Sequence, residues 1–212
     1  MDKIDYKKTE KHLYCPKSPA IVQVPEMAFF AVDGMGDPNN SPAYRQALEI
    51  LYGLSFTVKM SKMGDEKPEG YFEYAVPPLE GLWWTDDPAF DGKPPADKDR
   101  FCWTSLIRQP DFVNEEVFAW AANRLGKKKP ELPLERARFL RWEEGLCAHL
   151  LHVGPYDAEP ASIDCLTAFL REQGYVPDFS DARRHHEIYL GDPRRTAPER
   201  LRTVIRHPIR RG

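Results

Sequence analysis

The sequence predicts an α+β fold with a largely antiparallel sheet, from three observations. Short apolar runs follow one another like hairpin strands, with few helical stretches between them. The stretches at 41–60 and 162–173 carry apolar residues at helical spacing. A strand, a glycine turn and a capped helix occur twice, at 29–60 and at 150–174. A repeat this long exceeds a solenoid period and indicates a duplicated half-domain.

Nine apolar runs end at Pro, Gly or Asp residues, and together they predict about eight strands. The runs lie at 20–24, 27–33, 71–76, 79–85, 101–108, 135–142, 146–153, 184–190 and 202–209. Tight hairpin turns are expected at 25–26 and 143–145. Ser41 and Asn114 are predicted N-caps of helices at 42–60 and 114–125. We expect both repeat helices on one face of the sheet, which leaves the other face free to curve around a ligand.

The chain is expected to form one domain preceded by an arm. Residues 1–19 are polar and charged, which predicts an arm laid across the surface. Residues 20–212 are predicted to be a single domain built of two pseudo-repeats, at about 20–108 and 135–209. Since ligand sites favour the junctions between such units, the cleft between the halves is the place to look for function.

Composition limits the function classes. The 212 residues are 42% hydrophobic, which suits a packed core, and the formal net charge of -3 argues against a general nucleic-acid binder. No stretch resembles a signal peptide or reaches the length needed to cross a bilayer. The four cysteines include no C-x-x-C pair and are expected to be reduced. We therefore expect a cytoplasmic protein with no direct nucleic-acid or membrane partner; its oligomeric state is not predicted.

Glu187 is the leading candidate for a chemical role. Strand alternation places Glu187 and Tyr189 on one face and Ile188 on the other. Because Ile188 suits a helix-covered core, Glu187 is expected on the open, concave side. A partly desolvated carboxylate there would serve as a general acid or base, or attract cations. The alternative is a solvated glutamate on an exposed sheet face.

Aromatic residues are the expected walls of this site. Trp84 and Trp103 lie in predicted strands, as does Tyr74, and Tyr44 lies in the first repeat helix. If they face the same side as Glu187, they form an aromatic box that favours flat, often cationic molecules through stacking and cation–π attraction. Packing in the core is the alternative for each of them.

No cofactor and no metal are expected. His149 and His152 are three residues apart in one predicted strand and therefore point to opposite faces. The sequence around His186 is not H-E-x-x-H, and no phosphate-binding glycine loop or nucleophile elbow is present. The arginine-rich stretch 194–211 is interpreted as an edge strand whose charges oppose aggregation.

Three segments resemble those of the GyrI-like small-molecule-binding proteins. They are VPPLEGLWW at 76–84, WTSLIRQPDF at 103–112 and HEIYLGDP at 186–193. The resemblance covers about residues 20–209 and is closest to the stand-alone members of the family. It implies duplicated β-α-β-β half-domains that form a curved, eight-stranded, largely antiparallel sheet with helices on one face. It also implies a pocket between the halves, with Glu187 at its floor.

The resemblance leaves three functions open. The first is binding of aromatic, hydrophobic, often cationic compounds by Glu187, Trp84, Trp103, Tyr44, Tyr74 and Tyr189. The second is hydrolysis of cyclopropane-bearing genotoxic compounds, with Glu187 and Tyr74 as the catalytic residues. The third is a regulatory module that binds a protein partner through its surface.

Overall fold

The computed structural model of the protein describes residues 3–64 and 66–212. Met1 and Asp2 of the predicted arm, and Asp65 in the loop after the first long helix, lie outside the described residues. The described residues form seven strands: β1 Ala20–Met35, β2 Leu79–Trp84, β3 Cys102–Gln109, β4 Ala137–Val153, β5 Tyr175–Pro177, β6 His185–Tyr189 and β7 Arg202–Arg211. They also form five α-helices: α1 Tyr6–Thr9, α2 Lys11–Tyr14, α3 Pro42–Met60, α4 Glu115–Lys128 and α5 Glu159–Glu172. The predicted α+β class is confirmed.

The sheet is a closed antiparallel barrel. Its strands follow the order β4-β1-β3-β2-β6-β7, and β7 pairs back onto β4 with Leu150 opposite Ile205. The short β5 is an extra strand on the end of β7. The expected open, eight-stranded curved sheet is therefore wrong. Closure pairs the two edges that an open sheet would leave exposed.

The strand count differs because two predicted hairpins are single long strands. Pro25 ends no strand: Val24 pairs with Gly145 and Glu26 with Glu143, so that β1 and β4 run alongside each other past this point. Pro25 needs no ladder partner because it has no N–H, and Gly145 bends β4 with a φ of +75°. The predicted strand at 71–76 forms only a single bridge, between Tyr74 and Ile4.

The long helices cover the outside of the barrel. Ser41 caps α3 by accepting a hydrogen bond from the backbone N–H of Tyr44, as predicted. The apolar face of α3 packs with that of α4 against outward residues of β1 and β3, such as Phe30 and Trp103. Residues of α5, such as Ile163, pack on β4 and β7.

The barrel interior holds a second core, to which all six barrel strands contribute. Its buried strand residues are Val24, Met27, Phe29, Ala31, Leu82, Leu106, Cys147, Ile188 and Val204. Leu13 and Tyr14 of α2 join this core and are almost fully buried. The arm expected on the surface therefore closes one end of the barrel, because its apolar residues complete the interior.

Four buried charges balance one another inside the barrel. His186 lies between two carboxylates, with Nε2 3.0 Å from Oε2 of Glu80 and Nδ1 3.0 Å from Oε1 of Glu144. Arg206 donates to Oε2 of Glu144 at 2.8 Å and to the carbonyl of Leu13 at 2.8 Å. Burial alone would lower the pKa of His186, but Glu144 and Glu80 raise it to about 9. Burial would raise the pKa of Glu144, but His186 and Arg206 lower it to about 2.

A second arginine fixes the N-terminal helices to the barrel wall. Arg108 of β3 donates two hydrogen bonds to the carboxylate of Glu10, at 2.6 and 3.0 Å, and one to the hydroxyl of Tyr14. Its guanidinium lies 4.1 Å from the ring centre of Tyr6. Helices α1 and α2 therefore form an N-terminal plug at one end of the barrel. Arg108 and Arg206 hold this plug through the contacts described above. None of the helices among the described residues has the length and apolar content that a membrane crossing requires.

His186 predicts a loss of stability at alkaline pH. Its pKa of about 9 in the folded protein exceeds the ordinary 6.5 of an unfolded histidine. Its contribution is therefore complete below pH 6.5 and is lost as the pH rises through about 9. We expect the free energy of unfolding, measured with urea, to fall by about 3 kcal/mol between these limits.

The control for this experiment keeps the interior neutral. The double variant Glu80→Gln/His186→Gln removes one charge of each sign and leaves the Glu144–Arg206 pair intact. Its stability should be nearly flat across the same pH window, whereas His12→Gln, at an exposed histidine, should retain the wild-type dependence. An equal alkaline loss in the double variant would show that His186 is not its source.

Candidate functional site

Glu187 lies on the outer face of the barrel, between α3 and α5. It occupies the middle of β6, opposite Gly81 of β2 on one side and Ile205 of β7 on the other. The alternation along β6 is as predicted, but the assignment of its faces is inverted. His186 and Ile188 point into the barrel, where carboxylates pair the histidine, and Glu187 and Tyr189 point toward the helices.

The carboxylate of Glu187 is nearly buried and is held by two donors. Its side chain is 14% exposed. The Tyr189 hydroxyl donates to Oε2 at 2.7 Å, and Nε2 of His185 lies 2.9 Å from Oε1. Burial alone would raise the pKa of Glu187, but the hydrogen bonds from His185 and Tyr189 lower it below its usual value. Glu187 is therefore ionised at neutral pH.

The indole of Trp83 extends this hydrogen-bonded chain. Its Nε1–H donates to the Tyr189 hydroxyl at 2.9 Å, and that hydroxyl in turn donates to Glu187. The contact requires a glycine at position 81, because a Cβ there would lie 2.5 Å from Nε1 of Trp83 and 3.1 Å from the Tyr189 oxygen. Burial and the charge of Glu187 raise the pKa of Tyr189 well above its usual value, so Tyr189 remains a donor.

Three further rings, those of Tyr44, Trp103 and Tyr156, form an aromatic wall around this hydrogen-bonded chain. Tyr44 of α3 lies 5.9 Å from Trp83 and 5.0 Å from Trp103, centre to centre, and meets Trp103 edge-on. Trp103 is fully buried and its Nε1 has no hydrogen-bond partner among the described residues. Tyr156, just before α5, meets Tyr189 edge-on at 5.8 Å. Tyr189 thus contacts Glu187 directly, and Trp103 joins the same group of rings through Tyr44.

Two histidines lie behind Glu187. Nδ1 of His185 is 2.8 Å from Nε2 of His207 on β7. His185 therefore lies between Glu187 and His207, with Nε2 at the carboxylate and Nδ1 at the second histidine ring. Burial and then His185 lower the pKa of His207 well below its usual value, so this ring stays neutral. Gly92, with a φ of +93°, lets the β2–β3 loop lie over both rings, since a Cβ there would be 2.7 Å from each.

Glu159 supplies a second carboxyl group at the site. It is the first residue of α5 and is 3% exposed. Its Oε1 has no donor within hydrogen-bond distance among the described residues. Burial and the charge of Glu187 raise the pKa of Glu159 well above its usual value. The raised pKa favours the protonated form of Glu159, which can donate a hydrogen bond to Glu187. The N-terminus of α5 favours an anion and would lower the pKa of Glu159, but burial raises this pKa by more.

Two of the sequence-predicted site residues lie elsewhere. Trp84 alternates with Trp83 and points to the other face of β2, where the guanidinium of Arg184 lies 4.6 Å from the centre of its ring. Tyr74 is fully buried among Tyr71, Phe72 and Phe112, and Nζ of Lys59 lies 5.1 Å from the centre of its ring. Neither side chain contacts Glu187, so the expected role of Tyr74 falls to Tyr189 in this geometry.

Sequence reasoning missed four residues of this site: Trp83, Glu159, His185 and His207. Alternation along β2 gives the signal for Trp83, because Gly81 and Trp83 share the face that meets Glu187. Glu159 occupies the first turn of the second repeat helix, directly before its apolar stripe. His207 has no local signal, since it reaches the site only through the pairing of β6 with β7. The described residues contain no cluster of three or more His, Cys, Asp or Glu side chains suited to a metal.

Comparison with known proteins identifies similar sequences and structures. The sequence profile of the GyrI-like small molecule binding domain matches residues 17–210. A crystal structure described as a hydrolase from Listeria innocua is 43% identical, with a TM-score of 0.89, and the match covers 98% of this chain and 100% of that one. A second structure from Listeria innocua, described as an uncharacterized conserved protein, is 44% identical, with a TM-score of 0.92 and the same coverage. Among curated proteins, none matches the chain.

A more distant structure has a similar fold only. The C-terminal domain of EcmrR is 11% identical, with a TM-score of 0.53, over 92% of this chain and 98% of that domain. Its likeness supports the fold and says nothing of the ligand.

The packing at Gly81 predicts that even a single methyl group disturbs the site. In Gly81→Ala, the new Cβ forces the Trp83 indole away and breaks its hydrogen bond to Tyr189. We expect a loss of stability of about 1–3 kcal/mol, as for other overpacked sites, together with a shifted tryptophan emission.

The matched control is Gly126→Ala, inside α4. A Cβ at Gly126 meets nothing closer than Leu134 at 3.5 Å, which is ordinary contact. Since alanine is the better helix former by about 1 kcal/mol, this variant should be as stable as the wild type or more so. Unfolding curves in which both variants behave alike would contradict the role assigned to Gly81.

Proposed function

The chain belongs to the GyrI-like small-molecule-binding domain family, and we propose that it is a hydrolase that acts on a flat, aromatic, electrophilic compound beside Glu187. The observation that carries the proposal is a pair of buried carboxyl groups whose pKa values shift in opposite directions, that of Glu187 downward and that of Glu159 upward. When the surroundings of two neighbouring acids drive their pKa values apart, they are suited to serve as base and acid in one reaction. The similarity to a structure described as a hydrolase supports the same conclusion.

The proposed reaction adds water across a strained carbon–carbon bond, as in a cyclopropane ring conjugated to a carbonyl group. The oxygen of water bonds to a ring carbon, the strained bond breaks, and its electron pair passes to the conjugated group. Glu187 takes the proton that the water loses, and Glu159 gives a proton to the conjugated group. The two carboxyl groups return to their starting states when the proton passes from Glu187 to Glu159 along their shared hydrogen bond.

The aromatic wall would select and position the substrate. Tyr44, Trp83 and Tyr189 offer ring surfaces and a hydroxyl beside the carboxyl pair. A flat substrate lying on these rings gains contact area and excludes water from the reacting bond. Tyr189 and His185 would act as positioning residues, because each holds one oxygen of Glu187 and so orients the base.

Binding of an aromatic cation without turnover is a second candidate. It is favoured by the ionised state of Glu187 next to the ring faces of Tyr44 and Trp83, which suits an organic cation. The two candidates differ in one measurement. A hydrolase releases more than one equivalent of product per protein, whereas a binding protein forms a complex and releases none.

Replacement of either carboxyl group is expected to abolish turnover. With a carbonyl-conjugated aryl cyclopropane as the substrate, followed by chromatography, Glu187→Gln and Glu159→Gln should each lower kcat at least about 100-fold. Binding of a rhodamine dye should weaken only in Glu187→Gln, because that change removes the negative charge. Glu143→Gln, at an exposed carboxylate on β4, is the control and should retain full activity. Full turnover by either of the first two variants would exclude that residue from catalysis.

The pH profile of kcat tests the assigned protonation states. The pKa of Glu187 is lowered from 4.5, so activity should fall only when the pH drops below this value. The pKa of Glu159 is raised well above 4.5, so the alkaline limb of the bell-shaped profile belongs to Glu159. In the residual activity of Glu159→Gln, the alkaline limb should disappear and the acid limb should remain. A profile with both limbs in this variant would contradict the assignment.

A further inference from the structure

A groove separate from the Glu187 site lies at the other side of α5. Its walls are the segment 15–19 and the α5 face that carries Ala161 and Cys165, and its floor is the end of β4. Its volume is about 770 Å³, within the roughly 300–1,000 Å³ typical of small-molecule sites. The contacts of Glu187 involve β2, β6, β7 and the first residue of α5, so the two sites share no residue described above.

The floor of the groove is apolar and borders a free strand edge. Leu150, Leu151 and Val153 line it, and Val153 is 58% exposed, which is unusual for a large apolar side chain. The pairing of β4 with β1 ends at His149 opposite Ala20. From that point to Val153, β4 pairs only with β7, and its other edge has no strand partner among the described residues. Apolar surface and backbone polar groups are therefore both available to a ligand.

The charges around the groove have one sign. Lys11, Lys17 and Arg202 line it, and no acidic residue does. Within the described part of the chain, none of these three cations has a carboxylate at ion-pair distance. An unpaired cationic rim over an apolar floor complements an anion that carries an apolar body.

We propose that this groove binds an amphipathic organic anion, in which a carboxylate or sulfonate lies against Lys11, Lys17 and Arg202 and an apolar body lies on Leu150, Leu151 and Val153. The two sites then differ in the charge that they accept, since Glu187 is an anion and the rim of the groove is cationic. A second copy of this chain would fit the groove poorly, because the same three cations would face one another across a symmetric contact. The proposal does not depend on hydrolysis at the Glu187 site.

The test uses the full-length protein and the fluorescent sulfonate 8-anilinonaphthalene-1-sulfonate. Its emission should rise on binding, and dodecanoate should displace it. The variant Lys17→Gln/Arg202→Gln should weaken binding about fivefold to tenfold, since each exposed charge pair contributes modestly. Arg194→Gln, at a cation 84% exposed and paired with Asp192, is the matched control and should bind like the wild type. Glu187→Gln should also leave the affinity unchanged.

A second measurement locates the probe. Cys165 is exposed and lines the groove, so its rate of alkylation by iodoacetamide, followed by mass spectrometry, should fall when dodecanoate is bound. Unchanged affinity in the double variant, equal binding of dodecylammonium, or no protection of Cys165 would each overturn the proposal. Loss of the signal in Glu187→Gln would place the probe at the other site and would also overturn the proposal. Displacement of the probe by a short acidic peptide but not by dodecanoate would do the same.

Discussion

The pairing of β4 with β7 is the constraint on which the rest of the structure depends. It joins the first and last strands of the sheet order and turns a curved sheet into a closed barrel. Every barrel strand then has one face inside and one face outside. In β6, His186 therefore points into the barrel interior, and Glu187 points to the helix-covered outer face. The charged network inside the barrel and the one around Glu187 are therefore separated by the thickness of a single strand.

The network inside the barrel and the network around Glu187 offset the free-energy cost of buried charge in different ways. Inside the barrel, two cations and two carboxylates cancel, and the hydrogen bonds among them satisfy most of their polar atoms. Outside, the surroundings shift the two carboxyl groups in opposite directions, because burial and the charge of Glu187 raise the pKa of Glu159. The carboxylate of Glu187 is stabilised by hydrogen bonds from Tyr189 and His185 rather than by an arginine or lysine.

Much of the fold and part of the site were predictable from local patterns. Helix α3, with its Ser41 cap, and the central strand β6 follow from periodicity, and Glu187 follows from its unusual place in a strand. Closure of the barrel does not, because the pairing of Leu150 with Ile205 joins residues far apart in the chain. Without closure, the inner and outer faces cannot be told apart from the pattern alone. For that reason the pattern predicts Glu187 on the helix-free side and favours Trp84 over Trp83, and both predictions are wrong.

The N-terminal plug also determines where this domain begins. The match to the family profile begins at residue 17, and the first long strand, β1, begins at Ala20. Both would suggest that the domain begins between these residues. A fragment cut there would lack Glu10, Leu13 and Tyr14, which leaves the guanidinium of Arg108 without its acid and opens the barrel end to water. An expression boundary chosen from strand content alone would therefore remove part of the hydrophobic core.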